Sequence, residues 1–259
     1  MLPPNLCYTI ALDAPGQDVH RRMARLLVTS LLRTGWVGKI VVFRRSDGRP
    51  VLPEGHAAVE ERILASESET SWSETMAWKF RVRDQLDLSG MDKVLFLDCD
   101  CLALRSINHL MTGSWDIYTA PEPGRIIEFP FNGYLTDSEM TKLQNTPGLN
   151  AGVIGVRADR FFEVMAEWER INSRVQLRPW HGRDQHAWNR LILDTPLCHR
   201  AMDPGEVQFP FLHRAVYPDY RSAGLVHAAD RSPQDKLSLL FGLWMEAHGQ
   251  DQLEACTRI

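Results

Sequence analysis

The sequence predicts an α/β fold in which a mostly parallel central sheet is flanked by helices. Short apolar segments of strand character alternate with amphipathic helical segments along most of the chain. Such alternation is typical of parallel strands that are joined by crossover helices. The 259 residues, 44% of them apolar, suffice for one large α/β domain or two small ones.

The first third of the chain begins with a strand and an amphipathic helix. An apolar strand is followed by a polar turn at residues 13–17, and Val19, Met23 and Leu27 then recur at helical spacing. Two short β-type segments and a second apolar helical segment come next, separated by a loop at residues 44–55. We therefore predict strands over residues 7–12, 39–43 and 59–64, and helices over residues 19–35 and 72–86.

The rest of the chain continues this pattern, but two long segments interrupt it. Residues 121–148 contain four prolines and three glycines with little periodicity, which predicts a long loop that is functional or mobile. Residues 204–224 are also rich in loop formers. Between and after these segments we predict strands over 116–120, 150–156 and 225–228, and helices over 159–171, 184–193 and 234–248.

The most informative segment is the apolar run from Val94 to Leu97, which leads directly into Asp98 and Asp100. A short unbroken apolar run predicts a central strand that is covered on both faces. If the backbone stays extended, the two carboxylates point the same way, whereas Cys99 and Cys101 face away from them. They would lie at the carboxyl end of a strand, where open α/β sheets bind ligands. Two such charges need a cation, a shared proton or water, and a divalent ion that bridges phosphate oxygens satisfies this need.

Composition and charge limit the partners. The net charge of -4 and the pI near 6.1 give no electrostatic support for nucleic acid as a partner. The five cysteines are scattered, and the sequence opens without the pattern of a signal peptide and contains no long apolar run. We therefore expect a cytoplasmic protein with reduced thiols and no membrane span.

Several motifs beyond the aspartate pair carry polar side chains at the ends of predicted elements. Asn150-Ala151-Gly152 opens an apolar strand, and Asp184-Gln185 begins a helix that also carries Asn189. Lys79 lies on the helix before the aspartate pair, and His227 lies on the strand at 225–228. In this order and spacing, over roughly residues 7–230, the motifs resemble those of the retaining glycosyltransferases of family eight, which have the GT-A fold.

This resemblance implies a single GT-A-type domain with a Rossmann-like sheet over residues 1–259. Residues 7–120 would be its nucleotide-binding half, and residues 121–259 its acceptor-side half with loop insertions. It also implies transfer of a hexose from a UDP-sugar, with retention, to a hydroxyl of an unknown glycan, protein or small-molecule acceptor.

The resemblance further implies roles for individual residues. Mn²⁺ or Mg²⁺ would be held by Asp98, Asp100 and His227, and catalysis would involve Asp184 and Gln185. The residues implied in donor binding are Ala11, Asp13, Lys79, Asp98, Asn150, Ala151 and Gly152. The Lys-Pro-Trp turn that follows the histidine in the family is missing here, and Arg231 or Lys236 could replace its diphosphate-binding lysine. Trp180 and His181 could form part of an acceptor wall.

Structural roles compete with these functional ones. Lys79 could be a solvated helix lysine, Asp184 a helix cap and Asn150 an ordinary turn residue.

A second enzyme class, the haloacid-dehalogenase-type phosphatases, would use Asp98 as nucleophile and Asp100 as acid. Those enzymes favour Gly or Thr soon after the pair, a position that Cys101-Leu102 occupies here. A third hypothesis is a non-catalytic sugar-binding protein on the same fold.

Overall fold

The computed structural model describes residues 4–14, 16–45, 49–52, 55–64, 72–174, 183–203, 205–213 and 220–249. For residues 72–74, 183, 213 and 220 it describes the backbone alone. The strands of the described ranges are β1 (Asn5–Ala11), β2 (Lys39–Arg45), β3 (Val59–Leu64), β4 (Lys93–Leu97), β5 (Cys101–Ala103), β6 (Ile117–Arg125), β7 (Pro147–Arg157), β8 (His199–Ala201), β9 (Val207–Gln208) and β10 (Leu225–His227).

The α-helices of the described ranges alternate with these strands. They are α1 (Val19–Arg33), α2 (Trp72–Arg81), α3 (Asp137–Lys142), α4 (Phe161–Arg174), α5 (Arg183–Asp194), α6 (Pro210–His213) and α7 (Pro233–His248). The chain forms two compact units that interleave along the sequence. The first contains residues 1–67, 97–112 and 204–259, and the second contains residues 68–96 and 113–203.

In the first unit, three parallel strands run side by side in the order β3-β2-β1. The apolar face of α1 packs against β1, β5 and α7, and the side chains of Val19, Met23, Leu27 and Leu31 are buried as the helical spacing predicts. A separate small sheet joins β5, β10 and β9, with β5 antiparallel to β10 and β10 parallel to β9. This small sheet fixes the backbone around residues 100–103 and 225–227.

In the second unit, the strands follow the order β4-β7-β6-β8. Strands β6 and β7 are antiparallel, and β8 is parallel to β6. Helices α4 and α5 pack on each other and on β7, with the rings of Trp168 and Trp188 centred 4.8 Å apart. Trp168 Nε1 also donates to the carbonyl oxygen of Asp184 at 2.9 Å, which ties the first turn of α5 to α4.

The α/β class with a mostly parallel sheet and flanking helices is confirmed, and so are the principal predicted helices and strands. The prediction that residues 121–148 form one long loop is wrong in part. Strand β6 continues to Arg125, and α3 begins at a capping box in which Thr136 and Glu139 satisfy each other's backbone N–H groups. The very short elements β5, β8, β9 and α6 were not predicted, because two to four residues carry no readable periodicity.

Candidate active site

The first cluster of polar side chains begins at a turn. Strand β4 ends at Leu97, and the backbone N–H of Cys101 donates to the carbonyl oxygen of Asp98 at 3.1 Å, which closes a turn over residues 98–101. The extended backbone predicted through Asp98 and Asp100 is therefore wrong. The prediction that Cys101 faces away from the carboxylates is wrong as well, because β5 restarts at Cys101 and pairs it with His227 across the small sheet.

The turn gathers both carboxylates around one imidazole nitrogen. His227 Nε2 lies 3.1 Å from Asp100 Oδ1 and 3.7 Å from Asp98 Oδ2. The side chains of Asp100 and His227 are 8% and 4% exposed, whereas that of Asp98 is 26% exposed. The backbone supports this approach, since the N–H of Ala228 donates to the carbonyl oxygen of Asp100 at 2.9 Å. Of the three side chains, that of Asp98 is therefore the most accessible to water.

Two buried atoms of this cluster have no hydrogen-bond partner within the described parts of the chain: Asp100 Oδ1 and His227 Nδ1. The approach of His227 Nε2 to Asp100 Oδ1 is close but lacks hydrogen-bond alignment. An unpaired buried carboxylate oxygen costs about 1–3 kcal/mol or more, so a ligand at this point would be stabilising. Two carboxylates and an imidazole are donors that suit Mn²⁺ or Mg²⁺, and the residues present therefore fit such an ion.

The neighbouring thiol is a poor ligand for a hard cation. Cys101 Sγ lies within 4.8 Å of the ligand atoms of Asp100 and His227. Burial, followed by the charges of Asp100 and Asp98, raises the pKa of Cys101 well above its ordinary value. The thiol therefore stays protonated, and oxygen and nitrogen ligands dominate the cluster.

A lysine completes this first cluster. Lys236, on the first turn of α7, donates to Asp100 Oδ2 at 2.7 Å. Burial raises the pKa of Asp100, but the charges of Lys236 and His227 outweigh it and hold that pKa well below the usual range. Of the two basic residues considered for the missing diphosphate lysine, Lys236 lies at the aspartates, while the Arg231 guanidinium stacks 5.1 Å from the ring of Phe211.

The predicted donor residues at the end of β1 have structural partners in the same unit. Ala11 is buried at the last position of β1. Asp13 accepts from the backbone N–H groups of His20 and Arg21 at 2.7 and 2.9 Å, so its carboxylate satisfies the first turn of α1. Burial raises the pKa of Asp13. The hydrogen bonds from His20 and Arg21 lower that pKa by more, so the net shift is downward.

The second cluster belongs to the second unit and begins with an ion pair. Lys79 Nζ lies 2.8 Å from Asp184 Oδ2, with side chains only 7% and 6% exposed. The same ammonium donates to the carbonyl oxygen of Ala151 at 3.2 Å and lies 5.5 Å from the centre of the Phe96 ring. Lys79 is therefore not a solvated helix lysine, because its charge is buried and paired.

Amide groups complete the second cluster around Glu122. Its Oε2 accepts from Asn150 Nδ2 at 2.8 Å and from Gln185 Nε2 at 3.0 Å. The amide oxygens then accept from the backbone: Gln185 Oε1 from the N–H of Ala151 at 3.2 Å, and Asn150 Oδ1 from the N–H of Gly152 at 2.7 Å. One carboxylate therefore fixes the orientation of both amides.

The sequence analysis did not identify Glu122 as a site residue. It lies in the segment predicted as a loop, whereas the structure extends β6 through it. The sequence carries no clear signal for it, because Pro121 and Pro123 flank Glu122 and indicate a loop. Asn189 also has a defined role, since it accepts from the N–H of Leu149 at 2.9 Å and donates to its carbonyl oxygen at 2.8 Å. Trp180 and His181, considered for an acceptor wall, lie outside the described residues.

Within the described ranges, none of the helices combines the length and the apolar character that crossing a membrane requires. No protein-family model matches the sequence, and no curated protein sequence matches it.

Solved structures of similar fold do exist. The bifunctional glycosyltransferase WbbM matches 100% of this chain with a TM-score of 0.67 and 13% identity, and the chain spans about half, 52%, of that protein. A glycosyltransferase involved in the glycosylation of the major capsid of PBCV-1 matches 93% of this chain and 100% of its own, with a TM-score of 0.58 and 13% identity. Mouse xyloside xylosyltransferase 1 matches 87% of this chain and 98% of its own, with a TM-score of 0.57 and 13% identity. The chain thus shares its fold with these glycosyltransferases.

Proposed function

We propose that the protein is a metal-dependent glycosyltransferase that moves a hexose from a UDP-sugar to an acceptor hydroxyl, with retention at the anomeric carbon. The observation that carries this proposal is the cluster of Asp98, Asp100 and His227. Its oxygen and nitrogen atoms converge within 3.7 Å of His227 Nε2, and one buried carboxylate oxygen lacks a hydrogen-bond partner within the described residues. The acceptor is a glycan, a protein or a small molecule.

The first cluster would act on the leaving group. Transfer breaks the bond between the anomeric carbon and a diphosphate oxygen, and the electron pair leaves with the diphosphate. Asp98, Asp100 and His227 would hold Mn²⁺ or Mg²⁺, which supplies Lewis-acid stabilisation of that negative charge when bound. Lys236, whose ammonium donates to Asp100 in this structure, adds a further positive charge that the diphosphate can bind. Positive charge held next to the leaving diphosphate stabilises the negative charge that develops there and so lowers the barrier.

The second cluster would act on the sugar. As the anomeric bond weakens, positive character develops on the sugar ring, which the carboxylate of Asp184 and the amide of Gln185 can stabilise. Lys79 holds the Asp184 carboxylate in place, and Glu122 fixes the direction of the Gln185 amide. The acceptor oxygen forms the new bond to the anomeric carbon, and its proton passes to the departing diphosphate.

A panel of nucleotide sugars tests this proposal. We expect slow hydrolysis of at least one UDP-sugar in the presence of Mn²⁺, loss of that hydrolysis with EDTA, and its return when Mn²⁺ is added again. The Asp100→Asn variant should lose activity by about 100-fold or more, because one charged ligand is gone. Asp159→Asn is the matched control, since its carboxylate is exposed and pairs with Arg157.

Three other outcomes would contradict the proposal. Hydrolysis of simple phosphate esters without nucleotide-sugar dependence would instead support the phosphatase hypothesis. Binding of sugars without turnover of any donor would support a non-catalytic sugar-binding protein. Turnover that is unaffected by EDTA and by Asp100→Asn would remove the first cluster from the mechanism.

A further inference from the structure

Lys236 occupies an unusual place for a lysine in a candidate metal site. Its ammonium donates to Asp100 Oδ2 at 2.7 Å, while the other oxygen of the same carboxylate faces His227 Nε2. The side chain of Lys236 is 19% exposed, and that of Asp100 is 8% exposed. A carboxylate so deeply buried needs a positive partner, and in this structure Lys236 supplies the charge.

The helix that carries Lys236 is firmly anchored. Ser232 caps α7 by accepting from the N–H of Asp235, and a proline occupies the first turn. Leu237 and Leu240 are buried, and α7 packs against α1. Movement of the ammonium therefore requires only rotation of the flexible four-carbon side chain, while the backbone stays in place.

A divalent cation and this ammonium compete for the same carboxylate. A cation bound through Asp100 Oδ1, Asp98 and His227 would lie one carboxylate away from the ammonium on Oδ2, and like charges at that range repel strongly in a partly buried site. The contact of 2.7 Å leaves no room for the ammonium to move closer to Oδ2, so the cation and the ammonium draw on the same negative charge. The cation therefore binds more easily when the ammonium has left Asp100.

We propose that Lys236 is a resident counter-ion of Asp100 that a divalent cation displaces, and that the displaced ammonium binds the diphosphate of the donor. This inference rests on the proposed function, since it assumes a cation and a diphosphate at the first cluster. It goes further, because it assigns to Lys236 alone the coupling between the binding of the cation and the binding of the diphosphate.

The coupling follows from the two positions of the side chain. With the ammonium on Asp100, the cation meets repulsion and the diphosphate meets an ammonium that is already paired. With the ammonium released, both ligands bind better. Two ligands that favour the same state of a protein raise each other's affinity by an equal factor.

Titration calorimetry with Mn²⁺ and UDP as probes tests the inference on the whole chain. In Lys236→Met, Mn²⁺ alone should bind about tenfold more tightly than to the wild type, because its competitor is gone. UDP at saturating Mn²⁺ should bind about tenfold more weakly, because a cationic partner is lost. The factor by which Mn²⁺ improves UDP affinity should therefore fall.

Two further variants separate this role from a general effect on folding. Lys236→Arg keeps a cation on Asp100 and should not tighten the binding of Mn²⁺ alone. Lys39→Met removes a half-buried lysine of β2 that pairs with Glu60 of β3, and it should change neither affinity. If Lys236→Met folds poorly, Lys236→Gln serves in its place, and Mn²⁺ should raise its melting temperature more than that of the wild type.

The outcomes distinguish failure of this inference from failure of the proposed function. If the wild type binds UDP in a Mn²⁺-dependent manner but Lys236→Met shifts both affinities in the same direction or neither, the counter-ion role is refuted and the proposed function stands. If the wild type binds neither Mn²⁺ nor UDP, the proposed function is refuted, and this inference is refuted with it.

Discussion

Replacing Lys79 by methionine removes the cation from the buried ion pair that supports the second cluster. The variant loses the 2.8 Å contact with Asp184 and the 3.2 Å hydrogen bond to the carbonyl oxygen of Ala151. Methionine retains most of the side-chain volume, so the cavity that remains is small. Removing one partner of a buried pair typically costs about 3–5 kcal/mol, because the other charge stays buried without compensation. We expect the free energy of unfolding to fall by that amount.

Urea unfolding followed by tryptophan fluorescence measures this loss, and a double-mutant cycle assigns it to the pair. Asp184→Asn alone should also lower the free energy of unfolding. In the double variant Lys79→Met/Asp184→Asn, the loss of this free energy should be smaller than the sum of the two single losses by about 2 kcal/mol or more. The control is Lys142→Met, which replaces an exposed lysine on α3. A loss below about 1 kcal/mol for Lys79→Met, together with additive single effects, would refute the buried pair.

Two further predictions concern stability. Asp13→Ala should reduce the free energy of unfolding by about 1–2 kcal/mol at neutral pH, because α1 loses the acceptor for two N–H groups. Since the pKa of Asp13 is lowered on folding, its contribution is present above the aspartate range and is lost as the pH falls through the folded pKa, so wild type and variant should converge in acid urea titrations. Glu122→Ala should cost about 1–3 kcal/mol in urea unfolding because the amides of Asn150 and Gln185 lose their shared acceptor, and Glu122→Gln should recover part of it. Equal losses for the alanine and glutamine variants would contradict the amide network.

The sequence predicted those parts of the fold that depend on local periodicity. The helical spacing of Val19, Met23 and Leu27 and the apolar run from Val94 to Leu97 each define an element without help from distant residues. The resemblance directed attention to Asp98, Asp100 and His227, which the structure brings together. Whether these residues bind a metal and a nucleotide sugar stays a prediction.

The sequence could not predict contacts that depend on tertiary approach. Lys236 and Asp100 are separated by 136 positions, and no pattern along the chain indicates that they meet. The sequence did not predict the turn at residues 98–101, because the alternation of side-chain directions assumes one continuous strand. In the structure, β4 ends at Leu97 and a new strand, β5, begins at Cys101. Glu122 was missed for a related reason, since the prolines on both sides of it indicated a loop.

The central claim is that Asp98, Asp100 and His227 bind a divalent cation, and anomalous scattering tests it most directly. Crystals grown with Mn²⁺ and UDP, with data collected at the manganese absorption edge, should show one strong peak about 2.0–2.3 Å from an oxygen of Asp100 and from Nε2 of His227. Crystals of Asp100→Asn should lose that peak. No peak at these residues in the wild type, or a peak that persists unchanged in the variant, would contradict the account.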